Sequence, residues 1–427
     1  MQRINESFLQ YVWQHQLLEG DLLTADGLPV QIQHPGILNP HAGPDFTDAR
    51  LIIGSTRWAG NVEIHVHASD WHRHHHNLDR AYDNVILHVV YTNDTTPILQ
   101  NHHPIPTLPL ATHIPQSLWD NYEALLSPPQ PLPIPCASRL PQLSPNYIAA
   151  SLERLLLERL ESKCLQVRTL LDQTHGNWDH TALILLAHYF GGPANALPFE
   201  LLALSLPPTL LARWRDNPLR TEALLMGQSG LLDGYFDDPF PRALQADYQA
   251  LRAAASLTPL SPHLWRFARL RPASFPTLRI SQFAQLLSRT QGLLGLLLET
   301  TSAEPLQRLF HLTASPYWTH HYRFDSPSPG SPKHTGPQFA DRLIINACVP
   351  LLFEYGNSHS LQSLKDRAVE LLAQLPPESN SPLRLWRAAG LQPRSAAQSQ
   401  ALLHLHHNYC LHHKCLNCQI GYKIITQ

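Results

Sequence analysis

Apolar and polar residues alternate along short segments in the first quarter of the chain, and this pattern predicts β-strands. From 61 to 68 the apolar positions are Val62, Ile64 and Val66, each followed by a polar residue, so that one face of the strand is apolar and the other polar. Two earlier strands are predicted, over residues 28–34 and 48–53. A further strand is predicted from Val85 to Thr92 by its β-branched and aromatic composition.

Helical periodicity precedes and follows these strands. Residues 6–18 carry an apolar stripe at helical spacing, and Gly20 provides a stop. Proline is dense between 97 and 138, which disfavours a central strand and favours an extended connector with one short helix near 117–126. Beyond it, Ser144-Pro145 provides a helix start. We therefore expect an α+β protein with four segments: 1–96 strand-rich, 97–138 connector, 139–400 helical, and 401–427 a Cys/His-rich tail.

Composition and charge are consistent with a multidomain protein that has a metal site. The 427 residues exceed what a single compact core usually contains, and 43% of them are hydrophobic. The net charge of −2 hides an asymmetry, because residues 1–138 hold five basic and 13 acidic residues while the remainder hold 26 and 20. An acidic first part suits cation binding, and a mildly basic second part permits contact with DNA or RNA.

The sequence predicts a cytoplasmic protein. The N-terminal residues lack the positively charged start and apolar core of a signal peptide, and no apolar run reaches the 18 residues of a membrane span. Six cysteines in a chain of this length do not form a disulfide framework. No membrane partner is therefore expected, and the oligomeric state is not indicated by the sequence.

Two acidic residues are predicted to meet at the polar face of the second strand of a hairpin. Glu63, His65 and His67 share this face, and Asp45 lies just before the preceding strand. Antiparallel pairing of the two strands would place Asp45 beside Glu63, which is 18 residues later. Two carboxylates beside imidazoles are a common arrangement for binding a cation. A polar sheet face without any ligand is the alternative.

The proline-preceded Asp45 and the Glu63-Ile64-His65 triplet resemble the PD-(D/E)XK phosphodiesterase superfamily, which cleaves nucleic acids with a divalent metal. The resemblance implies a restriction-endonuclease-like fold for 1–96. It also implies that Asp45, Glu63 and the Ile64 carbonyl hold Mg²⁺ or Mn²⁺, and Glu6 on the first helix could add a ligand. His65 stands where the superfamily has lysine, so it could position water but supplies no fixed positive charge.

The histidines offer alternative ligand sets. Glu63, His65 and His67 could bind zinc from one strand face with His72 or His74 from the following loop, in the manner of a cupin-like site. The surrounding HRHHH run is otherwise expected at the solvated surface. Two roles are open for His88 on the fourth strand, a buried hydrogen-bonded side chain or a partner of the metal ligands.

A longer resemblance covers almost the whole chain. It is carried by the stretches NPHAGPDFTDARL, WAGNVEIHVHASDW, YDNVILHVVY, RPASFPTLRI, DRLIINACVPLLFEYG and the cysteine-bearing tail. In these stretches the protein resembles an uncharacterised bacterial family known as domain of unknown function 2851. This family implies no established activity.

Three cysteines near the C-terminus form a second candidate site. Cys410, Cys415 and Cys418 lie within nine residues, and such soft thiolates select zinc or an iron–sulfur cluster. A fourth ligand is needed, for which Cys136 is the first candidate, as in some helicase-associated nucleases of the PD-(D/E)XK type. The alternatives are reduced thiols without metal or a histidine as the fourth ligand, namely His407, His412 or His413. Apolar surroundings predict core positions for two other cysteines, Cys164 and Cys348.

Three arginines, Arg269, Arg271 and Arg279, are candidates for a phosphate-binding loop, although arginines at surface helix ends give the same pattern. Phosphate-binding P-loops, dinucleotide fingerprints and serine-hydrolase elbows do not occur in the sequence. Two hypotheses follow. The first is a metal-dependent phosphodiesterase acting on nucleic acid through Asp45, Glu63 and His65. The second is a non-catalytic metal-binding protein with a degenerate nuclease-like domain.

Overall fold

A computed structural model describes residues 4–98, 103–126, 133–290 and 292–427. The chain forms two compact units, one comprising residues 1–148 with 406–427 and the other residues 149–405. The sequence predicted four consecutive segments, whereas in the structure the connector and most of the tail belong to the first unit. Residues 99–102 and 127–132 of the predicted connector lie outside the described residues.

The protein is α+β, as the sequence predicted: the first unit contains a mixed sheet with helices, and the second is almost entirely helical. The strands are β1 (Val30–His34), β2 (Ile37–Leu38), β3 (Phe46–Ile53), β4 (Thr56–His67), β5 (Val85–Thr92), β6 (Thr107–Pro109), β7 (His321–Arg323) and β8 (Ser326–Pro327). The helices are α1 (Glu6–Gln14), α2 (Asp70–Arg73), α3 (Gln116–Leu126), α4 (Pro145–Gln173), α5 (Trp178–Leu204), α6 (Pro208–Trp214), α7 (Pro218–Gln228), α8 (Pro239–Ala255), α9 (Pro276–Arg289), α10 (Leu293–Glu299), α11 (Ala303–Leu309), α12 (Pro337–Leu343), α13 (Val349–Ser358), α14 (Gln362–Gln374), α15 (Ser381–Ala388), α16 (Ala396–Asn408) and α17 (Gln419–Ile425).

A six-stranded mixed sheet forms the centre of the first unit. Its strand order is β1-β3-β4-β5-β6, and β2 pairs with β3. The pairs β1–β3 and β3–β4 are antiparallel, whereas β4–β5 and β5–β6 are parallel. Pro109 ends the edge strand β6, where a residue without an N–H is tolerated. The polypeptide therefore runs through a helix, an antiparallel meander, a crossover and a parallel strand.

Strands β4 and β5 pack closely beside the site. A Cβ at Gly60 would lie 2.5 Å from Ile86 Cγ2 and 2.7 Å from the Asn84 carbonyl oxygen, so only glycine fits here. The pairing shifts between Asn61 and Val62, and beyond this irregularity Glu63 pairs with His88. The apolar face of the sheet packs with Leu9 and Trp13 of α1, and the core of this unit contains Val30, Phe46, Ala49, Leu51, Ile53, Val62, Ile64, Ile86, Leu87, Val89, Leu108 and Leu110.

Helix α1 begins at an asparagine cap and contacts β4. Asn5 Oδ1 accepts from the Phe8 N–H at 2.9 Å, which satisfies one of the free N–H groups of the first turn. The helix buries Leu9 and Trp13, so that Glu6 and Gln10, four residues apart, lie on a different face. This face is directed towards the acidic end of the hairpin, because Gln10 contacts Asp45.

Two irregularities interrupt the helices of the second unit. Helix α5 is broken at Gly192, which has φ 59° and ψ −174°, and Pro193 follows it. A π-helical turn, Ile344–Cys348, joins α12 to α13, and Pro350 comes two residues later. The ring of Pro350 would clash with the carbonyl four residues earlier in a regular helix, which accounts for the widened turn. No helix among the described residues is long and apolar enough to cross a membrane.

Candidate functional site

Asp45 and Glu63 meet at the start of β3, as the strand pairing predicted. The Asp45 N–H donates to Glu63 Oε2 at 2.9 Å, and the Ile64 N–H donates to Asp45 Oδ2 at 3.0 Å. The other oxygen of Asp45 accepts from Gln10 Nε2 at 2.8 Å. These N–H donors fix both carboxylates and leave Glu63 Oε1 to face the histidines. The Ile64 carbonyl remains a predicted ligand.

Three histidines gather beside Glu63. Glu63 Oε1 lies 3.5 Å from His65 Nε2 and 3.3 Å from His76 Nε2. His65 Nε2 also lies 3.2 Å from His74 Nδ1. His65 comes from β4, whereas the crossover between β4 and β5 supplies His74 and His76. Each of the three histidines can offer one ligand atom, and these atoms lie within 4.8 Å of one another.

These separations match those expected between ligands of one metal ion. Zinc–ligand distances of about 2.0–2.1 Å place tetrahedral donors roughly 3.3–3.4 Å apart. The three contacts of 3.2, 3.3 and 3.5 Å lie close to that length. Nitrogen donors in this number favour a transition-metal ion over Mg²⁺, which prefers oxygen ligands in octahedral geometry.

Aromatic neighbours hold the histidines in place. Tyr82 stacks on His76 with ring centroids 3.8 Å apart, and Trp71 packs against both His76 and His88. His88 is fully buried, and its Nε2 lies 2.8 Å from His65 Nδ1. The structure therefore places His88 directly behind a candidate ligand, which was one of the two roles open from the sequence.

The electrostatics of the site suit a cation. Burial, together with the neighbouring Glu63 carboxylate, raises the pKa of Asp45 to about 7. Burial likewise raises the pKa of Glu63 to about 8. Burial, reinforced by the surrounding histidines, lowers the pKa of His65 to about 2. His65 is thus a neutral imidazole that can bind a metal, and a divalent cation would offset the unfavourable charge of the carboxylates.

Helix α1 adds a third acidic group. Burial raises the pKa of Glu6, while the positive forms of His74 and His76 act in the opposite direction. Glu6 also acts electrostatically on Asp45 and Glu63. Its predicted place near the metal site is therefore consistent with the geometry.

His67 does not join the group formed by His65, His74 and His76, although it is on the same strand face as His65. It is exposed at the end of β4, and its N–H donates to Asp70 Oδ2. His72 is also outside the three-histidine group. Sequence reasoning had included His74 as a candidate and missed His76, because the HRHHH run resembles a solvated loop. The two-residue spacing of His74 and His76 was the available signal.

Four cysteines of the first unit form a second buried group. Cys136, Cys410, Cys415 and Cys418 are each 8–9% exposed, and none forms a disulfide. Burial raises the pKa of the Cys136 thiol, and the negative charge of the three other thiolates raises it further. Cys136 therefore lies beside cysteines that are more than 270 positions away in the sequence.

Tight turns present the C-terminal cysteines. Cys410 and Cys415 each begin a 3₁₀ turn, and Cys418 precedes α17 with its N–H donating to the Cys415 carbonyl oxygen at 3.2 Å. A Cβ at Gly421 would lie 2.1 Å from the same carbonyl oxygen, so glycine is required for this close approach. The alternative fourth ligands are exposed, namely His407, His412 and His413.

The remaining predicted residues lie in the helical unit. Cys164 and Cys348 are fully buried, as expected of core cysteines. Arg269 and Arg271 are exposed, whereas Arg279 lies on α9 with its guanidinium 3.9 Å from the Phe339 ring centroid. Arg279 is thus directed to the helical core and not to an open loop.

Most of the chain matches one protein family. The family described as protein of unknown function (DUF2851) matches residues 6–381. The chain belongs to this family. Comparison with the curated proteins and with the solved structures finds no match. The DUF2851 match spans the mixed sheet, Cys136 and most of the helical unit, but ends before the three C-terminal cysteines.

Proposed function

We propose that this DUF2851 protein is a metal-dependent phosphodiesterase that acts on nucleic acid. The single observation that carries the proposal is the convergence of Glu63 with His65, His74 and His76 at ligand-to-ligand distances, directly beside Asp45. Mn²⁺ or Zn²⁺ fits this donor set better than Mg²⁺. DNA or RNA as substrate rests on the resemblance of the Asp45 and Glu63-Ile64-His65 pattern to the PD-(D/E)XK superfamily.

The order of elements supports the same proposal. A helix, an antiparallel meander of β1, β3 and β4, a crossover and the parallel strand β5 agree with the helix-then-strands order that the resemblance implies. Asp45 lies just before β3 and Glu63 lies on β4. These positions correspond to those of the two acidic residues in the PD-(D/E)XK pattern. The fold assignment as restriction-endonuclease-like is part of the proposal.

Each residue has a distinct role in the proposed reaction. Glu63, His65, His74 and His76 would hold the ion, and His74, the exposed member of this group, lies on its solvent side. A bound divalent ion would act as a Lewis acid and lower the pKa of a coordinated water. Asp45, with a pKa near neutrality, is placed to accept a proton from an attacking water.

Cleavage assays test this function. The purified protein should cut single- or double-stranded DNA or RNA in the presence of Mn²⁺ or Zn²⁺, and Asp45→Asn and Glu63→Gln should each reduce the rate by at least about 100-fold. Asp48→Asn is the matched control, because Asp48 is exposed, lies three residues from Asp45 and has a positive φ that asparagine tolerates. Equal loss of cutting in all three variants would contradict the assignment of Asp45 and Glu63.

A second candidate function is a metal-binding protein without hydrolytic activity. It is favoured by the neutral His65, which provides no fixed positive charge for the transition state where the superfamily has lysine. The two candidates differ in one result. Metal binding that depends on Glu63 and His65, without cleavage of any nucleic acid, would establish the second.

For the cysteine group we propose a bound zinc ion or iron–sulfur cluster with Cys136, Cys410, Cys415 and Cys418 as ligands. Four thiolates complete the ligand set of either. Metal analysis and absorption spectra of protein prepared without oxygen or chelators should reveal zinc or iron, and Cys136→Ser should lose it. Cys348→Ala, a buried cysteine of the other unit, should retain it. Protein without either metal would remove this proposal.

A further inference from the structure

The two helical irregularities of the second unit meet at one cavity. The broken segment of α5 contributes Tyr189 and Gly192, and the π-helical junction contributes Arg342 and Asn346. The cavity volume is about 220 Å³. Pockets that bind drug-sized ligands have volumes of roughly 300–1,000 Å³, so this smaller cavity suits a small chemical group. π-Helical turns are frequent at functional sites.

Arg342 lines this cavity, and no acidic residue in the described part of the chain forms an ion pair with it. Its Nε is buried and makes no hydrogen bond to the described residues, and a Cβ at Gly192 would lie 3.9 Å from its Nη2. Burial lowers the pKa of Arg342, and no carboxylate acts in the opposite direction. The side chain is half-buried, and its buried Nε–H is a donor that lacks an acceptor among the described residues. A carboxylate or phosphate group is the usual acceptor for such a donor.

A second arginine reinforces the positive charge. Arg279 and Arg342 contact the same Phe339 ring, with guanidinium carbons 3.9 and 5.0 Å from its centroid. Burial and the charge of Arg342 lower the pKa of Arg279 to about 10. The polar contact of Arg279 is to Gln282 Oε1 at 2.9 Å. Among the described residues, neither arginine forms an ion pair.

Lys163 of α4 lies behind the cavity wall. Its Nζ is 2.5 Å from Asn346 Oδ1 and 5.8 Å from the ring centroid of Tyr189. Two acidic groups occur nearby. Glu378 acts electrostatically on Lys163, and Glu200 pairs with His188 at 2.8 Å. Neither acts on Arg342.

We propose that this cavity binds an oxyanion, a phosphate or carboxylate group of a small molecule, through the Arg342 guanidinium. Arg279, which contacts the same Phe339 ring as Arg342, adds to the positive potential. Asn346, whose Oδ1 accepts a hydrogen bond from Lys163, also lines the cavity. The planar guanidinium can bind either oxyanion with two parallel hydrogen bonds. This site is independent of the metal-dependent activity proposed for the first unit.

Thermal unfolding of the full chain with added anion tests the proposal. Inorganic phosphate and acetate are the two probes, each compared with chloride at equal ionic strength. At least one probe should raise the melting temperature of the native protein beyond the chloride control. Arg342→Met should abolish most of this shift, with affinity at least about tenfold weaker. Arg308→Gln on α11 is the matched control, because that arginine is exposed, and should respond as the native protein does.

The same variant separates ligand binding from a structural role. Because the Nε of Arg342 is buried without a hydrogen-bond partner among the described residues, Arg342→Met should melt at an equal or higher temperature than the native protein when no anion is added. A lower melting temperature would mean that Arg342 stabilises the fold, and the proposal would be wrong. It would be equally wrong if neither anion shifted the native protein beyond chloride, or if Arg342→Met kept the full shift. A response to phosphate alone or to acetate alone would identify the group bound.

Discussion

Replacing His88 should weaken metal binding, although His88 is not itself a proposed ligand. His65 can bind the ion through Nε2 only if its Nδ1 carries a hydrogen, which then donates to His88 Nε2 across 2.8 Å. This tautomer leaves His88 Nδ1 protonated, and that atom is buried without a hydrogen-bond partner among the described residues. His88 therefore orients His65 at some energetic cost to itself. His88→Leu removes the acceptor and retains the approximate volume.

The expected loss of affinity can be bounded. Replacing the hydrogen-bond partner of a metal-binding histidine reduces affinity by about 10–100-fold, which corresponds to roughly 1.4–2.7 kcal/mol. The assay is competition for Mn²⁺ or Zn²⁺ against a chromophoric chelator, with denaturant unfolding of the metal-free variant as the test of folding. His67→Gln, on the same sheet but exposed, is the control and should bind as the native protein does.

One result would refute this reasoning. If His88→Leu folds and binds the ion within about threefold of the native affinity, His65 is not oriented through His88. In that case His65 either binds through another atom or is not a ligand.

Further predictions concern stability and the cysteine group. Cys136→Ser should lower the free energy of unfolding of the first unit by removing the metal-linked contribution, measured with and without chelator. Arg168→Ala should cost about 2–3 kcal/mol, because it leaves Glu354, whose side chain is only 5% exposed, without the cation that contacts both its oxygens. The same change at Arg154, whose partner Glu158 on the same helix has a side chain that is 29% exposed, should cost less than about 0.5 kcal/mol in the same denaturant titration. Burial raises the pKa of Glu222 in the folded protein. As the pH rises above 4.5, this carboxyl group therefore ionises in the unfolded chain before it does in the folded protein, and the free energy of unfolding should fall by up to about 1.4 kcal/mol per pH unit. Glu222→Gln should remove this dependence in unfolding curves recorded at several pH values.

Each of these has a result that would contradict it. The cysteine assignment fails if chelator and Cys136→Ser leave the unfolding transition unchanged. Equal losses for Arg168→Ala and Arg154→Ala would mean that burial of the carboxylate does not decide the energy. An unchanged pH dependence in Glu222→Gln would show that this carboxyl group is not protonated in the folded protein.

Local periodicity accounts for much of the first unit. The alternation along β4 placed Glu63 and His65 on one face, and antiparallel pairing correctly placed Asp45 beside Glu63. The predicted strand Val85–Thr92 coincides with β5. These features depend on short-range geometry, because side chains on a strand alternate with a period of two and a hairpin sets its own register.

The crossover between β4 and β5 shows where such reasoning stops. His67 has the periodicity of a ligand, but β4 ends there and the chain turns into α2. His74 and His76 have no strand or helix period, and stacking on Tyr82 helps to hold His76 beside Glu63. Loop conformation depends on what the loop packs against, which the local sequence does not contain.

The sequence by itself therefore determined the four long strands β1, β3, β4 and β5, the α+β order, the meeting of Asp45 with Glu63 and the presence of a cysteine-rich tail. Only the tertiary structure decided that His74 and His76 of the crossover lie beside Glu63 and His65 in one candidate metal site, and that Arg279 and Arg342 contact the same ring. The physical reason is the same for both. Periodicity is a property of neighbouring residues, whereas distant side chains are brought together by burial of the apolar surfaces between them, and that packing is shared by the whole unit.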